Sequence, residues 1–219
     1  MPTPLVIDYY SDVLCIWAWI AQKRLDELNR EWGEQVQFRY HYLNLFADTQ
    51  KRIGDGWQAK GGFAGFSKHV LEAAEPFPDA VVNPNIWLEV RPKSSLNPHL
   101  LLKALELTEG HEAAAKYSVK LRQQFFIENQ DIGDMTTLLQ LIEECGFSVD
   151  PLQQTLADGS AAAALASDYQ IAQEMGVKGS PSWIMNNGRQ TLYGNVGYRV
   201  LSANIREYLE HNELDASWC

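Results

Sequence analysis

One thiol stands where a chain would place a reactive one. Cys15 closes the stretch Ser11-Asp12-Val13-Leu14-Cys15, between the apolar run Leu5-Val6-Ile7 and a helical pattern that begins at Ile16. A sulfur at a helix N-terminus faces unpaired backbone N–H groups and the positive end of the helix dipole, which favour thiolate over thiol. The Cys15 thiol is therefore expected to titrate below the free-cysteine value of about 8.5. Three residues on, at the spacing of a dithiol pair, stands Ala18. A disulfide formed on Cys15 must then be resolved by a thiol from outside this motif. Trp17, on the first helical turn, is the candidate rim for a substrate, and Asp12 reads as a helix cap rather than a base.

The other groups compete poorly. Cys145 precedes Gly146 at the end of an apolar-periodic helix and reads as a small buried hydrophobe. Cys219 is the last residue, and an odd total of three cysteines without a close pair fits a reducing compartment better than a disulfide framework. Histidines at 41, 69, 99, 111 and 211 lack zinc-type spacing, so no metal is expected. Lys60, in a glycine-rich segment, reads as a solvated lysine. A formal charge of −10 argues against binding nucleic acid or an anionic membrane, which need a basic footprint. No run reaches membrane-spanning length, and the opening Met-Pro-Thr-Pro lacks the cationic and apolar regions of a leader. A cytoplasmic protein is the expectation.

The elements that must position Cys15 follow from periodicity. Ala18, Ala21, Leu25, Leu28 and Trp32 mark one face of a helix ending near Gly33, and Val36, Phe38, Tyr40 and Tyr42 then alternate with Gln37, Arg39 and His41 as in a half-buried strand. Strand, helix and strand make a βαβ unit, which favours a parallel pair. Residues 46–95 are interrupted by glycine and proline, with a short helix expected around 66–74; such a long loop is usually functional or covers a site. Helical patterns follow over 100–107, from 112 toward 127, over 135–145, from an Asp150-Pro151 cap, and over 161–175. Trp183-Ile184-Met185 and Thr191-Leu192-Tyr193 then flank Asn186-Asn187-Gly188-Arg189, whose Asn-Gly centre suits a type I′ hairpin. A last helix carries Leu201, Ile205, Tyr208 and Leu209. The order βαβ, helical insert, ββα is the thioredoxin order, interrupted where the insert sits.

The stretch Gly176-Val177-Lys178-Gly179-Ser180-Pro181-Ser182-Trp183 completes a resemblance. Together with Cys15, Ser94 to His99 and Phe125 to Ile132, it is similar to the DsbA-like branch of the thioredoxin superfamily. That branch includes cytosolic disulfide oxidoreductases, kappa-class glutathione transferases and 2-hydroxychromene-2-carboxylate isomerases. The resemblance implies an α/β thioredoxin-like fold with an inserted α-helical domain: residues 1–60 and 176–219 as the discontinuous thioredoxin-like part, and 61–175 as the insert. It implies a cis bond at Ser180–Pro181 facing the nucleophile, where the Ser180 backbone would hold a cysteinyl peptide or glutathione against Cys15. It also implies a glutathione γ-glutamyl site at the start of the final helix. There the relatives carry an acid and this chain has Asn195-Val196, so Asn195 is the candidate to cap the helix and help receive a carboxylate.

Three functions follow as expectations. The first is a monothiol thiol-disulfide oxidoreductase with Cys15 as catalytic residue, Trp17, Ser180, Pro181 and Asn195 as substrate-binding residues, and glutathione as co-substrate. The second is a glutathione-dependent isomerase or transferase in which Cys15 activates glutathione or adds to a small electrophile. The third is a non-catalytic binding protein on the same fold. Dimerisation is expected only by analogy with several relatives.

Overall fold

The computed structural model describes residues 4–210. Cys219 and His211 lie outside the described residues. The sheet is four-stranded, in the order β2-β1-β3-β4, built from β1 (Leu5–Ser11), β2 (Val36–Tyr42), β3 (Ser182–Met185) and β4 (Gln190–Tyr193). β1 and β2 run parallel with Ile7 opposite Phe38 and Tyr9 opposite Tyr40. β3 is antiparallel to β1, with Tyr9 opposite Trp183, and β4 is antiparallel to β3. The fold is thioredoxin-like with an α-helical insertion, because every strand comes either before residue 43 or after residue 181.

Alternation along β1 divides the core. Ile7 and Tyr9 join Phe38, Trp183 and Met185 beneath α1 (Ile16–Trp32) and α8 (Tyr198–Glu210), while Tyr10 and Ile184 face the other way against Ala172. Trp183 is fully buried, with its ring 4.6 Å from Tyr9 and 6.3 Å from Phe38. The larger core belongs to the insertion. There α2 (Gly62–Ala74), α3 (Leu96–Glu109), α4 (His111–Phe126), α5 (Met135–Glu144), α6 (Val149–Ala157) and α7 (Ser160–Glu174) pack around Leu101, Leu105, Tyr117, Leu121 and Phe125. Val13, Leu14 and Cys15 belong to this same cluster, so the cysteine turn is wedged between the sheet and the insertion.

Several local expectations change. α6 starts at Val149 with extended Ser148 as N-cap, so Pro151 falls within the first turn, where its missing N–H is not needed. The hairpin loop has four residues, since Met185 pairs with Gln190, and Asn186, Asn187 and Gly188 all take positive φ (51°, 53° and 91°). Such a run suits Asn and Gly, which tolerate the left-handed region. The segment expected as loop is folded: a one-turn π-helix spans Gln50–Asp55 and a 3-10 turn spans Gln58–Lys60. Arg39 and His41, expected on an open strand face, are instead met by the insertion. Arg39 holds Asp8 with two bonds of 2.7 Å, and His41 bridges Asp8 and Asp168 of α7 at 2.8 Å each. Cys145 is exposed at the C-terminus of α5, because that helix buries Leu138, Leu141 and Ile142 and turns its last residue outward.

Candidate functional site

Cys15 is the N-cap of α1 in extended conformation, and its backbone carbonyl receives the N–H groups of Ala18 and Trp19 at 3.1 Å. The turn that delivers it is closed by Cys15 N–H to the Asp12 carbonyl, 3.1 Å, and by Leu14 N–H to the Asp12 carboxylate, 3.0 Å. Asp12 is therefore not a cap of α1. Its fully buried carboxylate also accepts from Phe46 N–H at 2.9 Å and from the Ser95 hydroxyl at 2.8 Å, tying the cysteine turn to the loop after β2 and to the start of α3.

The Ser180–Pro181 bond is cis. Ser180 lies against the turn twice: its hydroxyl accepts from Asp12 N–H at 3.0 Å, and its carbonyl lies 3.4 Å from Cys15 Sγ, which donates to it. The structure thus brings Cys15, Ser180 and Pro181 together across 165 positions of sequence. Trp17 lines the same cleft, whereas Asn195 does not. Asn195 is exposed, and the last helix opens at Tyr198, with the Gly197 carbonyl accepting from Leu201 N–H. The helix starts two residues later than an Asn195 cap requires.

The acidity of Cys15 runs against the sequence expectation. Burial pushes its thiol up; bonds from the Ser180 side chain and the N–H groups of Ala18 and Trp17 pull it down, the Asp12 charge adds to the rise, and the net direction is upward. With only 4% of the residue exposed, desolvation of the sulfur outweighs the helix terminus. Beneath it, burial raises the Asp12 carboxyl to about 6 despite its three donors. His99 is also fully buried: its Nε2 accepts from Val13 N–H at 3.1 Å, so the proton of the neutral ring sits on Nδ1. Burial, with the Arg122 and Lys103 charges, lowers it to about 3. Arg122 is buried too, donating to Ser11 Oγ at 2.9 Å and Ser118 Oγ at 3.4 Å.

Above the sulfur is a cleft of about 390 Å³. Phe46, Trp57, Phe66 and His69 form one wall, with Trp57 5.1 Å from Phe66 and 5.0 Å from His69 between ring centres. Lys178, Gly179 and Tyr193 form the other, and Arg52 reaches in from the π-helical turn. These wall residues escaped the sequence reading because they come from irregular or distant segments. Arg122 left a detectable signal: it falls on the stripe Ser118-Leu121-Phe125 of α4, where a cation has no reason to be unless buried with a purpose. Among the described residues no cluster of three or more His, Cys, Asp or Glu could hold a metal ion, and no helix is long and apolar enough to cross a membrane.

Comparison with known proteins agrees with this geometry. A family model described as thioredoxin matches residues 9–203. The chain belongs to the thioredoxin family. A curated relative, the ClpXP adapter protein SpxH of Halalkalibacterium halodurans, is 28% identical over 190 residues, 84% of this chain and 59% of that protein. The chain spans somewhat under three-fifths of the length of the curated relatives it matches first. Among solved structures, a probable DsbA oxidoreductase from Streptomyces coelicolor has a TM-score of 0.73 at 16% identity, covering 97% of this chain and 93% of that one. The cytosolic disulfide reductase DsbM from Pseudomonas aeruginosa, solved with GSH, has a TM-score of 0.68 at 20% identity, covering 94% and 98%. At these identities the structures establish the shared thioredoxin-like fold.

Proposed function

We propose that this thioredoxin-family chain exchanges thiols and disulfides through the single sulfur of Cys15, with glutathione as the external thiol in a reducing, cytoplasmic setting. The observation that carries the reading is Cys15 Sγ at the floor of an open cleft, 3.4 Å from the Ser180 carbonyl, with Ala18 where a resolving thiol would stand. The Cys15 thiolate attacks one sulfur of a disulfide and releases the other as a thiolate, leaving a mixed disulfide on Cys15. A glutathione thiolate then attacks the substrate-derived sulfur, regenerating Cys15 and leaving that sulfur joined to glutathione. A second glutathione completes reduction, so two glutathione thiols are oxidised for each disulfide reduced. The raised thiol lowers the thiolate fraction at neutral pH but leaves each thiolate more nucleophilic.

Intact-mass analysis after incubation with glutathione disulfide tests this. In the chain carrying Cys145→Ser and Cys219→Ser, one glutathione adduct, mapped to Cys15 and absent when Cys15→Ser is added, is expected; no adduct at Cys15 refutes the exchange reading. A second reading is a protein-binding module without turnover. Its support is the name of the curated relatives, ClpXP adapter proteins, and Ala18 where the motif's second cysteine would stand. On that reading Cys15→Ser leaves partner binding intact, which thiol exchange does not allow.

A further inference from the structure

The charge lining the cleft is opposite in sign to the charge of the chain. The protein carries a formal −10, yet the ionised side chains facing the space above Cys15 are Arg52 and Lys178, and no carboxylate lines it. They come from separate segments, Arg52 from the π-helical turn and Lys178 from the approach to Pro181. Among the described residues neither is in an ion pair; the Arg52 guanidinium lies over the Phe46 ring at 4.9 Å. Lys60, outside the cleft lining, sits 4.8 Å over the ring of Trp57, which does line it. Stacked on aromatic faces, Arg52 and Lys60 are held by the wall instead of by carboxylates, so their charge remains available to a ligand.

The wall is a built surface. A Cβ on Gly65 would lie 1.8 Å from the Lys60 carbonyl oxygen, and one on Gly56 would lie 2.4 Å from that of Arg52. Only glycine lets the π-helical turn close this tightly on itself and the 3-10 turn lie this closely against α2, in the segment that supplies Arg52, Trp57 and Phe66 to the cleft. An aromatic surface with fixed cations at its edge matches a ligand with a planar apolar body and a negative group.

We propose that the cleft above Cys15 is an anion-selective aromatic site, taking a small organic carboxylate whose planar body lies on the Trp57–Phe66 wall and whose charge sits between Arg52 and Lys178. The inference deepens the thiol-exchange reading and rests on it only for what happens to the sulfur: the favoured substrates are disulfides that carry such a group. A cleft lined by one sign of charge raises the encounter rate of the opposite sign by about tenfold or more, and salt screens the gain.

Two measurements test it in the chain of residues 1–219 carrying Cys145→Ser and Cys219→Ser. The first compares the rates at which Cys15 reacts with dithiobis(nitrobenzoate), a dianionic aryl disulfide, and with neutral dithiodipyridine, each normalised to mercaptoethanol. A preference of about tenfold for the anion is expected, falling by severalfold in Arg52→Gln and in Lys178→Gln and in high salt. No preference, or one that both substitutions leave intact, overturns the proposal. The second is calorimetric titration of the further variant Cys15→Ser with nitrobenzoate against nitrobenzamide, which needs no reactive thiol. Tighter binding of the carboxylate, lost in Arg52→Gln, supports the site; equal affinity or none overturns it. An unreactive Cys15 with retained anion binding would defeat thiol exchange alone.

Discussion

Asp12→Asn isolates the buried charge beneath Cys15. A carboxyl that titrates at about 6 in the folded chain and at its ordinary 3.8 when unfolded binds more protons folded than unfolded between those values. Stability from this group is therefore fully present at low pH and is lost as pH rises toward and through 6. The full loss is about 3 kcal/mol, of which about 2 kcal/mol falls between pH 4.5 and 8. Asparagine keeps one acceptor oxygen. Turned toward Phe46 N–H and the Ser95 hydroxyl, it forfeits only the bond from Leu14 N–H, at a pH-independent cost of about 1–3 kcal/mol. Urea unfolding of parent and variant at a series of pH values then gives a difference that moves in the variant's favour by about 2 kcal/mol from pH 4.5 to 8. The Asp12 charge also raises the Cys15 thiol, so the inflection of Cys15 alkylation against pH should move down in the variant. A stability difference flat in pH, or an alkylation inflection that stays in place, would show that Asp12 is not a buried ionised group acting on the sulfur.

Further tests follow from other parts of the molecule. Burial alone would lower His41, but its bonds to Asp168 and Asp8 outweigh this and raise it, so its stabilisation is complete below its ordinary 6.5 and is lost as pH rises through the raised folded value. His41→Ala should therefore destabilise more in acid than at pH 9, by about 1–3 kcal/mol, since Asp8 keeps Arg39 and Asp168 keeps Lys103; chemical denaturation at both pH values checks this. Ala18→Cys should place a second sulfur one helical turn from Cys15 and allow an intramolecular disulfide, read as a mass loss of two hydrogens and as insulin reduction less dependent on glutathione. Trp183→Ala, removing a fully buried ring packed on Tyr9 and Phe38, should cost about 3–5 kcal/mol by thermal or urea unfolding.

What could be read from the sequence was what repeats along it. The alternation of Val36, Phe38, Tyr40 and Tyr42 and the three-and-four spacing from Ala18 to Trp32 gave β2 and α1, and the glycines at 33, 110, 146 and 176 marked where helices end. The cysteine turn and the Ser180–Pro181 loop were legible because their residue types are unusual where they stand. The cleft wall was not, since a π-helical turn has no simple apolar period, and this turn and the 3-10 turn after it depend on carbonyls lying where Gly56 and Gly65 lack side chains. Arg39 and His41 looked solvated because alternation reports only that a strand has two faces. It does not say that α7 brings Asp168 onto the second one.

The acidity of Cys15 shows how position and burial compete in the same few ångströms. A helix terminus favours charge by about 0.3–1 kcal/mol when exposed, and up to about 2 kcal/mol in favourable partly buried settings. Withdrawing a thiolate from water opposes this with several kcal/mol unless the site supplies full hydrogen bonding. In this turn the nearest charge is itself an anion, Asp12, whose three donors hold Leu14, Phe46 and Ser95 in place. The carboxylate that organises the turn thus works against ionising the sulfur it presents. The cations that would offset it, Arg52 and Lys178, lie on the cleft walls above the sulfur, where an anionic ligand would engage them first. A fold built this way disfavours the Cys15 thiolate at rest, which suits a site with no neighbouring thiol to rescue it from an unwanted disulfide.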